Sequence, residues 1–104
     1  MNYMKDVLYE MRNRPIVYLG KNEIEYLYAY INGYMYRLFQ EEDTIPEFYP
    51  GFQEYIETKY NVTTGQHWSK ILDFYSESEE EALKKFFQHL DEYTQIDENG
   101  KKNN

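Results

Sequence analysis

The chain has 104 residues, with 11 Lys and Arg against 19 Asp and Glu, a net charge of -8 and no cysteine. A chain this short buries roughly 60 to 70% of its unfolded surface, enough for one modest core and no separate catalytic lobe. The lack of cysteine excludes disulfides, thiolate metal sites and a cysteine nucleophile, and the acidic balance excludes broad contact with a phosphate backbone, so nucleic acid is not an expected partner.

The first apolar pattern is Met4, Val7, Leu8 and Met11, at i, i+3, i+4 and i+7, which predicts a helix from about Asn2 to Asn13. Pro15 is expected to close it. Ile16 to Leu19 is short, β-branched and bounded by Pro15 and Gly20, and reads as an extended connector packed on the core. Asn22 with Glu25 has the spacing of a capping box. It opens a helix carrying Ile24, Leu27, Tyr28, Ile31, Met35, Leu38 and Phe39 as an inward stripe to about Gln40. Tyr26, Tyr30, Tyr34 and Tyr36 spread apolar surface round the rest of that cylinder, so the helix is either central or exposes a binding face. Gly33 in its middle suggests the approach of another backbone.

Glu41 to Pro46 reads as an acidic loop and Pro50-Gly51 as punctuation before a short helix to Tyr60, with Phe52, Tyr55, Ile56 and Tyr60 inward. Thr63 and Gln66 match a capping box for a helix that places Trp68, Ile71, Leu72 and Tyr75 on one face. Ser78 and Glu81 repeat the signal, and Glu79, Glu80 and Glu81 sit where the helix dipole favours anions. The last helix presents Ala82, Leu83, Phe86, Phe87, Leu90 and Tyr93, with Glu80–Lys84 and Glu81–Lys85 as i, i+4 pairs. Residues 97–104 are polar and unpatterned and read as a disordered tail. The expectation is a single all-α domain over residues 1–96, a bundle of four or five helices. The minority alternative is α+β, with a short strand near Ile16 to Leu19.

Chemistry is sparse. The two histidines, His67 and His89, lie on different predicted helices without ligand-spaced companions, so no metal is expected. Carboxylate pairs such as Glu54/Glu57 and Asp91/Glu92 are explained by solvated faces. Ser69, Ser76 and Ser78 lie in no nucleophile context, and the glycines form no phosphate-binding loop. No catalytic residue and no cofactor are expected. A small enzyme or ligand-binding bundle would need a pocket lined by Tyr28, Trp68 and Phe86. No segment approaches the roughly 20 apolar residues of a membrane span, and the opening residues lack an export pattern, so a cytoplasmic protein without membrane contact is expected.

Two resemblances accompany this reading. Arg12-Asn13-Arg14-Pro15-Ile16-Val17-Tyr18-Leu19-Gly20 resembles the Arg-x-Arg-Pro-Gly-Met-Tyr-Ile-Gly segment of type II topoisomerase ATPase domains. The match covers nine residues, Ile16-Val17 replaces the Gly-Met, and that family's ATP-binding motifs are missing. A helix stop accounts for the segment without any such relationship. Across nearly the whole chain, that segment followed by Ile31-Asn32-Gly33-Tyr34, Pro50-Gly51-Phe52-Gln53-x-Tyr55, Trp68-x-x-Ile71 and Glu79-x-Glu81-Ala82-x-x-x-Phe86-Phe87 resembles small acidic bacterial proteins similar to toxin-immunity proteins.

The resemblance implies a non-catalytic, protein-binding inhibitor. Its physical counterpart is the pairing of net charge -8 with 13 tyrosines: acids steer a basic partner, such as a nuclease toxin, and tyrosines anchor it. The face expected to bind comprises Tyr26, Tyr30, Tyr34, Glu41, Glu42, Asp43 and Glu47. The alternative is a structural helical protein, a homodimer burying its second Tyr stripe.

Overall fold

The computed structural model describes the backbone of residues 3–42 and 48–103 and the side chains of residues 7–41 and 51–94. Among these the protein is all-α, with no strand: α1 (Tyr3–Met11), α2 (Pro15–Leu19), α3 (Ile24–Glu42), α4 (Phe48–Tyr60), α5 (Trp68–Phe74) and α6 (Glu79–Asn103). Six helices replace the expected four or five because Ile16 to Leu19 is not an extended connector. Pro15 occupies the first turn of α2, where its missing N–H costs nothing. Gly20, at φ 82°, donates its amide to Ile16 O at 2.9 Å and closes the turn. A single turn points one residue inward, so Leu19 is buried whereas Ile16 and Val17 are 53% and 69% exposed.

The core joins all six helices. Trp68 and Phe86 lie 4.8 Å apart by ring centroid, Phe52 meets each edge-on at 5.9 and 5.4 Å, and Leu8, Met11, Ile24, Leu27, Ile31, Ile56, Ile71, Leu72 and Leu90 close round them. The proposed pocket of Tyr28, Trp68 and Phe86 is therefore filled by its own rings: Tyr28 contacts Trp68 edge-on at 5.6 Å. The inward stripe of α3 holds for Ile24, Leu27, Ile31 and Met35, but Phe39 is 48% exposed. At 100° per residue Phe39 stands about 60° off the stripe's centre.

Helix starts depart from the local cap signals. α3 begins at Ile24, and its first amide is met by Glu79 of α6, Ile24 N–H donating to Oε2 at 3.0 Å; the expected Asn22 cap is not used. α5 begins at Trp68, whose N–H donates to Gln53 Oε1 of α4 at 2.8 Å, in place of a Thr63/Gln66 box. In both, a side chain from a packed neighbour reaches the orphan amide that a local residue would otherwise satisfy. Only the third signal works locally, with Glu81 N–H donating to Ser78 Oγ at 3.1 Å.

Pro50 and Gly51 lie inside α4, since the first helical turn needs no N–H from proline. Gly51 admits the hydroxyl of Tyr93: a Cβ there would stand 2.1 Å from that oxygen. Gly33, by contrast, has nothing within 4 Å of its would-be Cβ, so no backbone approaches it. The backbone of α6 continues helically to Asn103, through the stretch read as a tail, as propagation from an established helix adds one bond per residue fixed.

Candidate protein-binding face

Of the residues expected to bind, the outer side of α3 exposes Tyr26 and Glu41. Tyr26 is 42% exposed and Tyr36, two residues past Tyr34, is 64% exposed. They stand about 15 Å apart along the axis, with Ala29 and Gly33, both exposed, between them. Phe39 adds a third exposed ring beyond Tyr36. Lys21 stacks over Tyr26, its Nζ 5.8 Å from the ring centroid.

Tyr30 and Tyr34 do not belong to this outer surface in full: both are half-buried and pack against the core at the helix flank. Glu41 is exposed and accepts from Arg37 Nε at 2.8 Å, so part of its charge is locally matched. The side chains of Glu42, Asp43 and Glu47 lie outside the described residues. Tyr36, which periodicity set off the stripe but which was left out of the expected face, and Phe39, expected inward, are the further exposed aromatics of α3. The signal was present, because a helical wheel puts Tyr36 about 120° from the stripe's centre.

A partly buried polar network lies between α4 and α6. His89 is only 4% exposed, yet both ring nitrogens are engaged. Nδ1 donates to Glu92 Oε1 at 2.9 Å, since a carboxylate only accepts, and Nε2 meets the Tyr60 hydroxyl at 2.6 Å. The same Glu92 oxygen accepts from the Tyr55 hydroxyl at 2.9 Å and from Lys59 Nζ at 3.2 Å, and Gln88 donates to Oε2 at 3.2 Å. Burial pushes the Glu92 carboxyl up, but the hydrogen bonds from His89, Tyr55, Gln88 and Lys59 outweigh it and hold the group at about 2. Burial raises the pKa of the Tyr60 phenol.

His67, the other histidine, is far from this network in role: it stacks on Tyr28 at 3.9 Å, lies 2.6 Å from Ser69 Oγ, and burial followed by Lys70 lowers its pKa. The two histidines and Asp91 do not form a common cluster. Asp91 instead receives Arg12, in the turn after α1, bidentately, at 2.9 and 2.5 Å. This pair lines a groove of about 570 Å³ between the α1–α2 corner and α6, with Pro15, Leu83, Lys84 and Phe87. Among the described residues no group of three His, Cys, Asp or Glu is placed to hold a metal ion, and no helix is long and apolar enough to cross a membrane.

Comparison of the chain with protein-family models, with curated proteins and with solved structures finds no match.

Proposed function

We propose that the protein is a non-catalytic protein-binding module, an immunity-type inhibitor that engages a basic partner such as a nuclease toxin through the outer face of α3. The observation that carries this reading is the exposure of Tyr26, Tyr36 and Phe39 on a helix whose other side is fully committed to the core. A large ring with few rotatable bonds is a low-entropy anchor when a partner covers it. The net charge of -8 supplies long-range attraction for a basic partner, while the matched Arg37–Glu41 pair leaves the near face mixed in sign. Anchoring is thus assigned to the rings and steering to the whole chain.

The test is affinity capture from cells that carry the gene, using the wild-type chain and a Tyr36→Ala/Phe39→Ala variant whose helical circular dichroism matches it. The expected result is one basic protein retained by the wild type, held less well as salt rises and lost by the variant. An acidic captured protein, retention indifferent to the double substitution, or no capture would overturn the proposal.

A further inference from the structure

The most exposed aromatic of the described residues is not on α3. Phe74, the last residue of α5, is 78% exposed, and Tyr75 beside it is 46% exposed. Neither ring hangs loosely. Phe74 meets Tyr75 edge-on at 5.0 Å, Tyr75 stacks on Tyr60 at 5.0 Å, and Tyr60 is fixed by His89. The buried network thus braces a solvent-facing ring, which lowers the ordering cost of covering it.

Next to Phe74 the surface is indented. The chain turns sharply between α4 and α5, with Asn61 at φ 55° and Gly65 at φ 79°. Val62, Thr64, Gln66, Ile71, Phe74 and Tyr75 line the resulting dimple, which has a volume of about 190 Å³. A cavity of about 150 Å³ accepts one benzene ring. One surface therefore carries both an aromatic projection and a space sized for one.

The charges round it repeat that self-complementarity. Lys70 and Asp73, both exposed, lie four residues and one residue before Phe74 and three residues apart, so charges of both signs flank the ring on α5. An antiparallel pairing about a two-fold axis would set Lys70 of each copy towards Asp73 of the other and each Phe74 towards the other copy's dimple. An isologous contact needs this property: one patch complementary to itself.

We propose that α5 and the 61–67 turn form a homodimerisation surface whose occupant is a second copy of this chain. The inference does not rest on the α3 face. With α5 only seven residues long, the contact is small and the dimer weak, in the class of transient interfaces.

The experiment is sedimentation equilibrium on the full chain at about 0.15 M salt, where repulsion between acidic copies is screened, up to a concentration of about 1 mM. The wild-type mass is expected to rise with concentration from 12.8 kDa towards twice that value. Phe74→Asp should remain monomeric over the same range. Lys70→Asp and Asp73→Lys should each weaken association by about tenfold, because each sets like charges opposite one another twice. The double exchange, Lys70→Asp with Asp73→Lys, should restore it to within about threefold, as it recreates the complementary pairs. A wild type that stays monomeric, a dimer unaffected by Phe74→Asp, or a double exchange no better than the single ones would overturn the proposal.

Discussion

Glu92 is the acceptor at the centre of the α4–α6 network, and replacing it with glutamine while varying pH isolates its charge. In the folded protein its carboxyl is held at about 2, against 4.5 for an ordinary glutamate. At about 1.36 kcal/mol per pH unit, the depression corresponds to at most about 3.4 kcal/mol. The side chain is 32% exposed, and screening by water reduces that to about 1–2 kcal/mol. Because the folded pKa lies below the unfolded one, the unfolded chain binds more protons between about pH 4.5 and 2. The contribution is therefore complete above pH 4.5 and is lost as the pH falls through 2. Urea unfolding of wild type and Glu92→Gln, at fixed ionic strength from pH 6 to pH 2, should show the wild type about 1–2 kcal/mol more stable at the upper end, with the gap narrowing on acidification. A gap that stays constant or widens towards pH 2 would refute the assignment of the low pKa to this network.

Three further outcomes are expected. Gly51→Ala should destabilise by about 1–2 kcal/mol, since the new methyl meets the Tyr93 hydroxyl at 2.1 Å; Tyr93→Phe in the same chain should recover most of the loss, which thermal denaturation of the four combinations would measure. Gly33→Ala, in open space on α3, should stabilise by up to about 1 kcal/mol through helix propensity alone; a loss of stability in urea melts would show that the site is not open. A double-mutant cycle on Arg12→Ala and Asp91→Ala should give a coupling of about 1 kcal/mol that shrinks in high salt, as their side chains are 31% and 33% exposed.

The helical class, the core stripe of α3 from Ile24 to Met35, and the buried face of α6 were legible because each rests on apolar spacing within one segment. The Ser78 cap was legible for the same reason. What failed was whatever depended on a partner distant in sequence. Asn22 and the Thr63/Gln66 pair have the right local chemistry, yet Glu79 and Gln53 reach the amides first because packing brings them there. α2 was misread because β-branched residues between Pro and Gly suit a strand or a single helical turn equally, and only Leu19's contact with the core decides. For the candidate face, composition indicated a tyrosine-rich surface on α3, but exposure shifted from Tyr30 and Tyr34 to Tyr36 and Phe39. The Tyr60–His89–Glu92 arrangement joins residues 29 positions apart at its first link, which no periodicity encodes.

The carboxylate of Glu79 ties the first amide of α3 to the first turn of α6, across 55 residues of chain. Until α6 docks, that amide is left to water and the opening turn of α3 is free to fray. Exchange of the Ile24 amide proton with solvent is therefore a readout of a distant event, the docking of α6, and not of the helix in which the proton resides. In a partly folded state, α3 would show protection through its middle while its leading edge exchanged freely, and the delay before Ile24 gained protection would time the closing of the bundle.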